Sequence, residues 1–370
     1  MKKIFATILI IIIFIAPLTV VQANDEVGFL DGSTNIYKLN SYKIIQTISG
    51  NMKVDDYGDI MDMNYKFFIS GNANNKKYFE SDSYSRINGT IMINLIESEK
   101  SLSSIPFSQL TINLSGEVTS IFNDGLYLRL SELDVIAKDI GESELNGMND
   151  FLKGISDFKG KWYKIPASDL SELNQASLES EYGSAIDTEL FQPETVIEYF
   201  KENDIKTGFG EYIKDVMGLM NEYGGVDNEE YEIMTYFIDR LVETEFFNIR
   251  DVVSGRNTGF KFFTFNKSSI INIIKDIAEK MNIEIGYAEL NELRSGLNKF
   301  SIAGLYRVNK ENDILDNLFI KFTLRNIENL INFNMNYRYK IVSFDAPKVS
   351  APKEYVDFMD IMDIQDLMMY

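Results

Sequence analysis

The sequence predicts an α+β protein built on a large curved antiparallel sheet, a half-barrel covered on one face by helices. Three observations carry that prediction. Long stretches toward both ends of the chain alternate apolar and polar residues with a period of two. The middle carries apolar stripes at helical spacing, and one further helix interrupts the later strands, an order that suits separated β and α regions rather than alternating βαβ units.

In chain order, Tyr42 to Val54, Met61 to Ser70 and Tyr78 to Leu95 are rich in β-branched and aromatic residues. They are divided by the turn-forming clusters Asp55-Asp56-Tyr57-Gly58 and Gly71-Asn72-Ala73-Asn74-Asn75. Leu110, Ile112, Leu114 and Val118 point one way on the next strand, and Thr111, Asn113, Ser115 and Glu117 the other. Asn123-Asp124-Gly125 then turns the chain into Leu126 to Leu130, making a hairpin. A helical middle section is expected at about 167–243. Pro193 sits at a first helical position before Thr195 to Phe200; Ile213, Val216, Met217 and Met220 form one stripe. Asp227 with Glu230 reads as a capping box ahead of Met234, Phe237, Ile238 and Leu241. Strands return in Phe246 to Val253 and Gly259 to Phe265, followed by a helix with Ile270, Ile273, Ile274, Ile277, Ala278 and Met281 on one face. Three strands close the fold: Phe300 to Val308, Leu315 to Leu324 and Ile331 to Ile341. In the last, Ile331, Phe333, Met335, Tyr337, Tyr339 and Ile341 alternate with Asn332, Asn334, Asn336, Arg338 and Lys340.

Residues 1–23 read as a cleaved signal peptide: Lys2 and Lys3 precede an apolar run from Ile4 to Ala16, Pro17 breaks it, and Val21-Gln22-Ala23 offers the small residues of a cleavage site. Export to the periplasm, the cell surface or the extracellular space is therefore expected, with no transmembrane span once this segment is removed. The remainder reads as one domain over 24–356 and an acidic C-terminal tail or short helix over 357–370. In that tail Asp357, Asp360, Asp363 and Asp366 recur every third residue among apolar neighbours.

Composition narrows the chemistry. With no cysteine, neither a disulfide framework nor an acylated-cysteine anchor is possible. With no histidine as well, serine–histidine and cysteine–histidine nucleophiles and the usual zinc sites are excluded, leaving paired carboxylates, a serine–lysine pair or oxygen-only metal sites. No cofactor, metal or catalytic residue is expected. Asp55, Asp56, Asp59 and Asp62 lack the spacing of a calcium loop and read as a solvated turn. The net charge of −20, or −22 without Lys2 and Lys3, disfavours phosphate backbones and so argues against nucleic-acid partners.

Gly160-Lys161-Trp162-Tyr163-Lys164-Ile165, placed after the Leu-Tyr-Leu-Arg-Leu strand, resembles exported carriers of the lipoprotein-localisation-factor (LolA/LppX) type. The ending is similar too, with a long alternating strand followed by Pro347, Pro352 and a Pro-Lys-Glu-Tyr segment. The resemblance implies a half-barrel folded over helices around an apolar cavity for acyl chains or a lipidated partner. Many members carry a lipobox cysteine that this chain lacks, so a soluble shuttle is implied rather than a tethered one.

The candidate ligand-binding residues are those on the apolar faces: Leu110, Ile112, Leu114, Leu318, Ile320, Phe322, Phe333, Met335 and Tyr337. The same residues would serve equally as a dry core packed on helices. Met217, Met220, Met234 and Met281 could add an adaptable lining or fill core gaps. The expected function is an exported, non-catalytic protein that sequesters a lipid or lipidated protein. A structural or adhesive protein of the cell envelope, acting through protein partners, is the alternative. A carboxylate-dependent glycan hydrolase is a third, for which no acidic pair is singled out.

Overall fold

The computed structural model describes residues 35–56, 59–77, 80–96, 108–139, 158–169, 205–222, 228–243, 246–253, 259–280, 284–327 and 331–358, together with 146, 149, 153 and 156. The expected signal peptide, the helix placed after Pro193 and the acids Asp360, Asp363 and Asp366 lie outside these residues.

The chain is α+β. Twelve strands join in one open sheet whose hydrogen-bonded order is β12-β6-β5-β4-β3-β2-β1-β11-β10-β9-β8-β7. The strands are β1 (Ser41–Asp56), β2 (Asp59–Lys77), β3 (Glu80–Ile96), β4 (Gln109–Ile121), β5 (Gly125–Lys138), β6 (Tyr163–Pro166), β7 (Phe247–Asp251), β8 (Lys261–Phe265), β9 (Phe300–Asn309), β10 (Ile314–Ile327), β11 (Ile331–Ser343) and β12 (Val356–Asp357). The described helices are α1 (Ile205–Glu222), α2 (Asn228–Glu243), α3 (Lys267–Lys280) and α4 (Tyr287–Asn298). The two ends of the order are not paired with each other, so the sheet is unclosed. β12 pairs with β6 in parallel, whereas β6-β5-β4-β3-β2-β1-β11-β10 and β9-β8-β7 pair antiparallel.

Two compact units are distinguished, each discontinuous in sequence. One holds residues 171–298 and 303–315, the other 37–170, 299–302 and 316–370. The first has a densely filled interior. Phe237 and Ile238 of α2 and Ile270, Ile273 and Ile277 of α3 are buried, and Phe247, Phe263 and Phe265 meet edge to face at 5.5 and 5.9 Å. Arg240 on α2 pairs with Asp276 on α3 at 2.6 Å. Met234, a possible ligand lining in the sequence, is buried on α2, whereas Met217 is only partly so. The side chain of Met220 and the whole of Met281 lie outside the described residues. Helix α4 has no counterpart among the sequence expectations, because only Leu293 and Leu297 are buried on it, too narrow a stripe to read.

The second unit carries the long strands. β2 runs for 19 residues, about 60 Å, against the ~17–20 Å of an ordinary strand. The cluster Gly71 to Asn75, expected as a turn, is instead the last part of β2. Its asparagines bond to distant segments rather than to their own backbone: Asn75 Nδ2 donates to Leu39 O at 2.7 Å, and Asn74 Oδ1 accepts from Val349 N–H. Lys77 at the end of β2 pairs with Glu80, where β3 begins. The hairpin expected at Asn123-Asp124-Gly125 is present, with Asn123 and Gly125 at positive φ (62° and 147°). After β11 the chain runs across the strand ends. Ala346 N–H donates to Ser41 Oγ, and Val356–Asp357 pairs in parallel with Tyr163 and Lys164. Thus Asp357, assigned to the tail by the sequence, belongs to a short strand.

Candidate ligand face

Strict registers across β10, β11, β1, β2, β3, β4 and β5 align side chains in rows, because each residue faces its cross-strand partner and alternates with its chain neighbours. One row reads Leu324, Phe333, Met52, Met63, Ile93, Leu110 and Ala137. The next reads Phe322, Met335, Gly50, Tyr65, Ile91, Ile112 and Val135, followed by Ile320, Tyr337, Ile48, Phe67, Gly89, Leu114 and Leu133. A fourth holds Leu318, Tyr339, Gln46, Ile69, Ile87, Gly116 and Leu130. None of these residues is charged. A β-bulge between Ser115 and Gly116 on β4 shifts its partner on β5 so that Leu130, rather than Ser131, continues the apolar face.

All nine residues singled out by alternation stand on this face: Leu110, Ile112 and Leu114 on β4, Leu318, Ile320 and Phe322 on β10, and Phe333, Met335 and Tyr337 on β11. Sequence reading missed the contribution of β1, β2 and β3, although Met61, Met63, Tyr65, Phe67 and Ile69 alternate as cleanly as β11 does. Leu318 is buried, whereas Leu114 keeps 37% of its surface and the other seven are half-buried.

Glycines make room for rings to lie flat on this face. A side chain at Gly89 would strike the ring of Phe67, and one at Gly50 would come within 2.5 Å of the Tyr65 hydroxyl. Tyr65 therefore reaches from β2 over β1 toward Phe333, on which it stacks at 6.3 Å. Phe333 meets Phe322 at 5.6 Å, and Phe322 meets the buried Phe300 at 5.2 Å. Burial raises the pKa of Tyr65 and Tyr337, since the phenolate loses more hydration than the phenol.

The opposite face is mainly polar, with Phe68, Met92 and Ile136 exposed among its polar residues, and several of its side chains bond to one another. Thr90 donates to Asn113 at 2.9 Å, Gln109 to Asn94 at 2.9 Å and Asn334 to Asn51 at 3.1 Å. Near the β4–β5 hairpin, the buried Glu117 pairs with Arg129 and accepts from Tyr84 OH at 2.6 Å. Burial and that bond to Glu117 push the Tyr84 pKa up to about 12. The Arg129 guanidinium lies 5.1 Å from the ring centre of Trp162. Lys164 pairs with Asp124 at 2.6 Å, and Tyr127 OH donates to the same carboxylate at 2.5 Å, which lowers the Asp124 pKa and raises that of Lys164. Tyr355 covers Tyr127 edge to face at 5.3 Å.

Among the described residues no group of three or more acidic side chains could hold a metal, and no helix is long and apolar enough to cross a membrane. No family model, curated protein or solved structure matches the chain.

Proposed function

We propose that this is an exported, non-catalytic binding protein that sequesters an apolar ligand, either a lipid or the acyl chains of a lipidated protein, against the charge-free sheet face. The observation that supports this reading is a contrast in burial. Large apolar side chains on seven strands of one unit remain half-buried, whereas Phe237, Phe263 and Ile273 in the other unit are sealed to 1% exposure. A protein needing only a core would seal both, since burial of apolar surface drives folding. Half-buried leucine, isoleucine, methionine and phenylalanine leave area for a ligand to cover, and methionine and flat-lying rings adapt to an irregular chain.

The test is mass spectrometry of lipids extracted from detergent-free protein, together with fluorescence of an apolar naphthylamine probe. An acyl lipid recovered in near-stoichiometric amount, and a probe signal lost on its addition, are expected. Repeated recovery of no lipid with no probe enhancement would overturn the reading. A second reading, an adhesive or structural envelope protein, rests on the exposed Met92 and Ile136, which flank Thr111 on the polar face. Capture of an envelope protein partner, abolished by Met92→Ser with Ile136→Ser, would favour it.

A further inference from the structure

The polar face gathers basic residues on a chain whose net charge is −20. Lys321 on β10, Arg338 and Lys340 on β11, Lys66 on β2 and Arg86 on β3 fall in three consecutive rows of registered pairs. Every other member of those rows on β10, β11, β1, β2 and β3 is uncharged. Lys43 on β1, opposite Asn72, adds a sixth base beside them. All six bases are exposed, and none makes an ion pair among the described residues. Acids border the patch without neutralising it. Glu117, opposite Arg86, is taken by Arg129, and Asp62 faces Lys53. Glu132 and Asp134 stand on β5, beyond the uncharged Ser115 and Asn113 of β4. With strands about 4.8 Å apart and alternate residues about 6.6 Å apart, the three rows cover roughly 19 by 13 Å.

We propose that this basic patch docks the polar face of the sheet on an anionic lipid surface. Bases spread over a broad sheet face meet many headgroup phosphates at once rather than converging on a single anion. Phe68, 40% exposed, shares a row with Arg338, and Met92 on the neighbouring strand is also exposed. Exposed apolar side chains among bases are the combination that a lipid interface takes, the charges at the phosphates and the apolar groups at the acyl boundary. The acid excess of the chain lies largely elsewhere: residues 171–298 and 303–315, the other unit, hold twice as many acids as bases. Screening acts over about 8 Å at physiological ionic strength, so a surface in contact with the patch responds to the six bases before the distant acids. The charge pattern stands whether or not the apolar face holds a ligand.

The experiment is flotation of the full chain with vesicles of equimolar dioleoylphosphatidylglycerol and dioleoylphosphatidylcholine, against vesicles of the phosphatidylcholine alone. The anionic vesicles are expected to bind at least tenfold tighter, and the difference should shrink as salt rises from about 0.05 to 0.5 M. Each base near an anionic surface contributes about fivefold, so Lys66→Gln with Arg338→Gln should lose at least tenfold of the affinity for anionic vesicles. Lys321→Gln with Lys340→Gln should do the same. All four side chains are exposed, so melting temperatures should stay within a few degrees of the wild type. Lys275→Gln with Lys310→Gln, exposed bases of the other unit, makes the same change in net charge and should cost less than threefold. Equal binding to both vesicles, or equal losses in the patch and control variants, would overturn the proposal. Binding of soluble polyglutamate as tight as that of anionic vesicles would assign the face to an acidic protein segment and overturn it too.

Discussion

Replacing Phe333 by alanine separates a dry core from a ligand face, and Phe300 supplies the internal standard. Both rings belong to the same unit and both touch Phe322, but Phe300 is 2% exposed whereas Phe333 is half-buried. Truncating a sealed phenylalanine costs about 3–5 kcal/mol, so Phe300→Ala should fall in that range. Phe333 has less area to lose, and its remaining contribution includes ring contacts to Tyr65 and Phe322 worth about 0.5–1.5 kcal/mol each at most. About 1.5–2.5 kcal/mol is therefore expected for Phe333→Ala in the ligand-free protein. A ligand at a hundredfold excess over its Kd adds about 2.7 kcal/mol to the wild type. A tenfold loss of affinity in Phe333→Ala would halve that increment, while Phe300→Ala should keep more of it. The assay is urea denaturation followed by the fluorescence of Trp162, the single tryptophan, which lies in the same unit. Equal losses at both positions, with no difference in ligand-induced stabilisation, would mean that Phe333 is core and the face is not a binding site.

Two pH dependences follow from the polar face. Tyr84 has a folded pKa raised to about 12 against an ordinary value of 10, so the neutral phenol is the form the fold favours. Its contribution is fully present below pH 10 and is lost as the pH rises toward 12; denaturation midpoints across pH 9–12 should fall less steeply in Tyr84→Phe than in the wild type. Asp124 has the opposite sign: its pKa is lowered, first by the Lys164 hydrogen bond and then by Tyr127, so its contribution is present above the ordinary carboxylate range and is lost as the pH falls through the folded value. Asp124→Asn should be less stable at pH 7 and show a shallower decline on acidification, and parallel curves for the two proteins would refute the assignment.

Period-two alternation made the strands legible, and it made the face legible too, because alternation and facing are the same fact. The nine predicted side chains share one face for that reason. What alternation could not convey was where strands end. Gly71-Asn72-Ala73-Asn74-Asn75 has turn composition, yet its polar groups are taken by Leu39 and Val349, which are distant in sequence. Helix α4 was hidden for the complementary reason, since two buried leucines do not make a stripe. Tyr65 could be placed by alternation, but its reach over Gly50 toward Phe333 is a property of the folded register and is not written in any local pattern.

The edge and the face of this sheet are treated differently, and the difference bears on what the face is for. A long exposed edge invites pairing with another chain. Here, in the unit with the long strands, the edge tapers: β6 has four residues and ends at Pro166, and β12, only two residues long, lies beyond it. Tyr355 and Phe358 flank that pairing, one against Tyr127 and the other against Tyr163. The backbone thus offers little for strand addition at this end. No charge interrupts the four rows of the apolar face, and a half-exposed apolar surface of that kind is costly in water. Glycines at Gly50 and Gly89 enlarge that surface by letting aromatic rings lie flat, where larger residues would have filled the space and sealed it. A blunted edge beside an apolar, half-exposed face is the arrangement that the proposed binding of a hydrocarbon-bearing ligand requires.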